Sequence, residues 1–112
     1  MLKLYRRDST PYPDGPEGLA EWSKDLNATK HVRETVLPNG LWVSTVWLGI
    51  TIGGVPPSRF ETACFDSKGI NAVVLDEWHY STEVEAIVGH EAMCAKWQGF
   101  RKDHADADSI QS

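Results

Sequence analysis

The dipeptide His90-Glu91, set within Gly-His-Glu-Ala-Met-Cys, is the nearest approach to a catalytic motif in the sequence. A helical His-Glu-x-x-His places two imidazoles on one face to hold zinc while the glutamate acts as general base. Here the residue one turn on is Cys94, so that motif is incomplete. His90 and Cys94 keep the i, i+4 spacing of two metal ligands, and a zinc site would need two further donors from Cys64, His79 or acidic side chains. Nothing in the spacing makes those groups converge. On a helical wheel His90 falls between Ile87 and Trp97, which predicts a partly buried imidazole hydrogen-bonded to a strand or a neighbouring hydroxyl. His90 and Glu91 form a candidate polar site, with no catalytic residue, metal or cofactor assigned.

The remaining candidates for chemistry are weaker. Gly53-Gly54 lacks the Lys-Ser/Thr of a phosphate-binding loop and runs into Pro56-Pro57 instead of a helix, so it reads as a connector or contact loop. Asp76 and Glu77 are adjacent on a predicted strand and point to opposite faces, which excludes a cooperating acid/base pair. The run from Asp103 to Asp108 lacks the glycine and final glutamate of a calcium loop. No spacing of Ser, Cys and His marks an activated nucleophile. One constellation is binding-like: His31 and Arg33 beside Trp42, Val46 and Leu48, because aromatic and arginine side chains dominate contact energetics.

The elements that would position these groups follow from periodicity. Residues 2 to 6 read as a first strand, and the segment 8 to 16, with three prolines and a glycine, as a break. A short helix is expected over 16 to 26, with Pro16 at its first position and Leu19, Trp22 and Leu26 as an apolar stripe. Two β-rich runs flank Pro38-Asn39-Gly40, and Asn39-Gly40 predicts a two-residue type I′ hairpin turn. That register pairs Val36 with Val43, Glu34 with Thr45 and Val32 with Trp47 on one face. The other face pairs Leu37 with Trp42, Thr35 with Ser44, Arg33 with Val46 and His31 with Leu48. Strand 41 to 50 is apolar on both faces and needs two covers, one from the C-terminal helix and one from the helix near 16 to 26, an oligomer or a target protein. Strands near 59 to 65 and 71 to 79 extend the meander, and the capping box Thr82-Glu83-Val84-Glu85 opens a helix to about Phe100. Its apolar face gathers Ala86, Ile87, Met93, Cys94 and Trp97. The expected fold is α+β: a curled antiparallel sheet of about four to five strands with a C-terminal helix on one face and a short N-terminal helix. It forms one domain over 1 to 101 with a polar acidic tail over 102 to 112.

The 112 residues suit one core. A hydrophobic share of 41% and a charged share of 24% place the chain among folded domains. Five tryptophans, Trp22, Trp42, Trp47, Trp78 and Trp97, are more than so small a core readily buries, so one or two are expected at a contact surface. A net charge of −5 disfavours direct nucleic-acid binding, although Lys3, Arg6 and Arg7 form a local basic spot. No window approaches the roughly 20 apolar residues of a membrane span. Two cysteines and an N-terminus without a secretion signal lead to the expectation of a reducing cytosol.

The segments Leu37-Pro38-Asn39-Gly40 through Ile50, Pro56 through Phe65 and Tyr80 through Met93 together resemble a family of small proteins encoded by tailed bacteriophages, chiefly those of actinobacteria. The resemblance covers about residues 31 to 97 and departs at Ile50-Thr51-Ile52-Gly53, where the family is Asp-His-rich. It implies a hairpin, a Gly/Pro loop, a Phe-Glu-Thr strand and a terminal Gly-His-Glu helix, and a phage context without a mechanism. The expectation is a non-enzymatic accessory protein binding a host or defence protein in the host bacterial cytoplasm. The rivals are a minor capsid or tail protein of the virion, and a small-molecule sponge or enzyme centred on His90 and Glu91. A homo-oligomer is the other partner weighed.

Overall fold

The computed structural model describes residues 2 to 52 and 58 to 100. The Gly53-Gly54 loop and the tail over 102 to 112 lie outside the described residues. Among these residues five strands and two helices follow in the order β1 (Leu2–Leu4), α1 (Pro16–Thr29), β2 (His31–Val36), β3 (Trp42–Ile52), β4 (Ser58–Phe65), β5 (Val74–Tyr80) and α2 (Glu83–Trp97). Each helix starts where local chemistry favours it. Gly15, at φ 85°, turns the chain into Pro16, whose fixed φ suits the first turn of α1. Thr82 and Glu85 close the expected capping box on α2: the Thr82 hydroxyl accepts from the Glu85 N–H at 3.2 Å and the Glu85 carboxylate from the Thr82 N–H at 3.1 Å.

All pairings in the sheet are antiparallel. Strands β2 to β5 form the expected meander, and β1 pairs with the far end of β3, where Leu4 lies opposite Ile50. The fold is the α+β arrangement expected from sequence, an open five-stranded antiparallel sheet with the C-terminal helix packed on it and an N-terminal helix beside it.

The hairpin register corrects the sequence reading. Val36 lies opposite Trp42, Thr35 opposite Val43, Glu34 opposite Ser44 and Arg33 opposite Thr45, one residue off the expected pairing. The loop holds three residues, Pro38, Asn39 and Gly40. Leu37 and Leu41 close it through a Leu37 N–H to Leu41 carbonyl bond of 2.8 Å, and the Gly40 N–H returns to the Leu37 carbonyl at 2.9 Å. Gly40 takes the left-handed conformation at φ 87°, whereas Asn39 does not, so the turn is the three-residue type with its glycine in the bulge position. Pro38 explains the choice: its φ near −65° suits the second position of a type I turn, and the extra residue puts glycine where φ must be positive.

Because side chains alternate, this slip exchanges the faces of β2 against β3. Val43, Thr45 and Trp47 of β3 face the helices together with Thr35 of β2 and Phe60, Thr62 and Cys64 of β4. The core holds two clusters. Leu37, Leu41, Val43, Cys64 and Met93 form one, with Trp78, Trp97 and Phe100 against it. Tyr12, Trp47, Phe60 and Ala86 form the other, with Trp22 and Leu26 of α1 packed on them. Fully burying one such large apolar side chain contributes about 1.5–3 kcal/mol. Both helices therefore lie on one side of the sheet. The expectation that α1 covers the second face is wrong: Trp22 and Leu26 reach Trp47, and the Trp22 indole N–H anchors α1 to the Leu48 carbonyl at 2.8 Å. Leu19, the third residue of the expected stripe, is half exposed.

Candidate functional site

His90 sits fully buried on the sheet-facing side of α2. Its Nε2 lies 2.9 Å from the Thr35 hydroxyl and its Nδ1 2.7 Å from the Thr45 hydroxyl, which itself lies 2.6 Å from the Thr62 hydroxyl. Both ring nitrogens are thus occupied by a chain of threonines reaching from β2 through β3 to β4. Burial lowers the imidazole pKa and keeps the ring neutral, with the Glu91 charge opposing the shift. Glu91, one residue on, turns outward and pairs with Arg33 at 2.7 Å. The structure therefore does not bring His90 and Glu91 into a shared site. Nor does it assemble His90, Cys94 and His79 around a metal, since His79 stands on the opposite side of the sheet with Glu61 and Glu77. Burial pushes the Cys64 thiol up to about 11 and raises that of Cys94, the reverse of what a reactive cysteine needs.

The binding-like constellation divides. Arg33 faces α2 and is committed to Glu91, while Trp42, Val46 and Leu48 lie half-buried on the other face of β3. Val32 takes up the irregularity between His31 and Arg33 and packs toward Trp47, which returns His31 to the open side opposite Val46. Of the expected basic spot of Lys3, Arg6 and Arg7, the two arginines are internally engaged. Arg6 pairs with Glu21 at 3.1 Å and lies over the Tyr12 ring, and Arg7 pairs with Glu83 at 2.5 Å.

The face away from the helices is ordered in cross-strand rows. One row is apolar, with Val36, Trp42, Phe65 and Val74 contributed by four successive strands. Its centre is the Trp42 and Phe65 rings, stacked with centroids 4.8 Å apart, and its ends, Val36 and Val74, are 55% and 49% exposed. Lys68 leans over the Trp42 ring at 5.8 Å and pairs with Glu34, whose carboxyl it holds below the ordinary range. The next row is Glu34, Ser44, Ala63 and Glu77, and the one beyond it His31, Val46, Glu61 and His79. At the β4 and β5 side of these two rows, His79 Nε2 lies 2.9 Å from Glu77 and its Nδ1 3.8 Å from Glu61. Among the described residues no helix packs on this face.

Sequence reasoning missed the three threonines around His90 and the Glu61, Glu77 and His79 group. Glu77 and His79 are two apart on one strand and so share a face, a signal readable from the sequence; Glu61 joins them only once the register of β4 against β5 is known. A shallow groove of about 350 Å³, lined by Lys3, Tyr5, Tyr12, Pro13, Asp14 and Leu19, is a further concavity.

No family model, curated protein or solved structure matches the chain. Fold and site together define an α+β domain in which, among the described residues, helices cover one face of the sheet and none covers the other.

Proposed function

We propose that this is a non-enzymatic binding protein that engages a protein partner through the uncovered face of its sheet. The phage-like segments at Leu37 to Ile50, Pro56 to Phe65 and Tyr80 to Met93 favour an accessory role in infection, with a host or defence protein of the bacterial cytoplasm as the partner. The observation that carries the reading is the row of Val36, Trp42, Phe65 and Val74, four apolar side chains abreast on a face without a covering layer among the described residues. Trp42 is the expected anchor, because a large, half-buried aromatic with its rotamer fixed by stacking loses little freedom on docking. The charged rim of Glu34, Lys68, Glu61 and Glu77 would set orientation and exclude wrong partners.

The test is co-purification from host lysate with wild type and with the paired variant Val36→Lys and Val74→Lys. Both sites are about half exposed, so the variant should fold normally. A saturable partner captured by wild type and lost from the variant is the expected result. Equal capture by both, or none by either, overturns the assignment to this face. For Trp42→Ala, binding should weaken by about 2 kcal/mol or more, measured by titration calorimetry against the captured partner.

A further inference from the structure

We propose that Glu61, Glu77 and His79 form a binding site for a divalent first-row transition cation on the open face of the sheet. One ligand atom from each of the three lies within 4.8 Å of the others, a spread that small side-chain rotations close around one ion. The backbone sets this up. Glu61 of β4 lies directly opposite His79 of β5, and Glu77 precedes His79 by two residues on the same strand face. The fourth corner of that cross-strand square is Ala63, opposite Glu77, so no bulky side chain fills the space between the three donors. Strand β4 is paired on both sides, which fixes the position of Glu61.

The electrostatics also call for a cation. Two carboxylates converge on one imidazole here, with His79 Nε2 2.9 Å from Glu77 and its Nδ1 3.8 Å from Glu61. The nearest guanidinium along the strand, Arg59, is turned away onto the Tyr5 ring at 3.8 Å and the Thr51 hydroxyl at 3.4 Å. The lysines near this face and its rear are committed elsewhere, Lys68 to Glu34 and Lys96 to Asp76. Two carboxylates and one imidazole, with no thiolate, suit Zn²⁺ or its neighbours and leave coordination positions for water. An imidazole donor discriminates against Mg²⁺ and Ca²⁺, which prefer oxygen throughout. The site shares Glu61 and Glu77 with the charged rim of the partner face, but its test uses neither Val36 nor Val74, so the two readings fail separately.

The experiment is calorimetric titration of the full chain with Zn²⁺ at pH 7.5, repeated with Mg²⁺ and with the variants Glu61→Gln, Glu77→Gln and His79→Gln. All three side chains are partly exposed, and circular dichroism confirms that each variant folds. Expected are one saturable Zn²⁺ per chain, at least about tenfold weaker Mg²⁺ binding, and a loss of about tenfold or more in Zn²⁺ affinity for each variant. Zinc should also shift the His79 ring resonances and leave those of His90 in place. Absence of saturable Zn²⁺ binding, affinity unchanged in the variants, or Mg²⁺ binding as tight as Zn²⁺ would each overturn the proposal.

Discussion

A histidine with both nitrogens bonded to hydroxyls in a dry core is a stability element with a built-in pH dependence. Above its ordinary pKa of 6.5, His90 is neutral folded or unfolded, and the threonine bonds contribute in full. Below that value the unfolded chain takes up a proton that the buried ring resists, so stability falls as pH drops through the folded pKa. Replacing the ring by an amide should cost about 1–3 kcal/mol at pH 7.5. The gap between wild type and His90→Gln in urea unfolding should narrow by pH 5.5, where the wild-type imidazole has lost part of its advantage. Asp76 behaves in the same sense at lower pH. Burial alone would raise its carboxyl, but the bonds from Lys96 at 2.7 Å and the Trp97 indole at 2.9 Å win, and the pKa ends below 3.8. Its contribution is therefore complete at neutral pH and disappears only in strong acid.

At the level of elements, Asn39 shows why the hairpin was only partly legible. Sequence marks Asn-Gly as a turn, and a turn stands there, but the reason for the asparagine is different. Its amide donates to the Trp97 carbonyl at 2.9 Å and the Phe100 carbonyl at 2.6 Å, and its oxygen accepts from the Leu41 N–H at 3.1 Å. One side chain thus ties the hairpin tip to the end of α2, satisfying carbonyls that a helix terminus leaves free. Were Asn39 chosen for a left-handed backbone, Asn39→Gly would be harmless; since it acts through its amide, Asn39→Gly and Asn39→Ala should each cost about 1–2 kcal/mol in urea unfolding. The capping box of α2 and the meander order were readable because they rest on neighbours in sequence. The register, the side on which α1 packs and the threonine chain at His90 depend on contacts between distant residues, which local patterns do not encode. Gly89 belongs to the same category. A methyl added there would stand 2.0 Å from the Tyr80 hydroxyl and 2.1 Å from its ring, so Gly89→Ala should destabilise by about 1–3 kcal/mol despite better helix propensity.

For the whole molecule, the consequence of placing two helices on one side is that stability is concentrated in one layer. Met93 is fully buried between α2 and the sheet, and Met93→Ala should cost about 2–5 kcal/mol. On the opposite face Val36 and Val74 keep about half their surface in water, so Val36→Lys or Val74→Lys should change stability by less than about 1 kcal/mol. The same lysine variants test whether the apolar row of Val36, Trp42, Phe65 and Val74 closes against a second copy of the chain. A dimer sealed there adds its association energy to apparent stability, which then rises with protein concentration, and the lysine variants lose that increment. A face kept for another protein gives a urea midpoint that does not depend on concentration, in wild type and variant alike. The expected outcome, in line with a heterologous partner, is the second: coincident unfolding curves at protein concentrations a hundredfold apart, together with a monomer in sedimentation equilibrium.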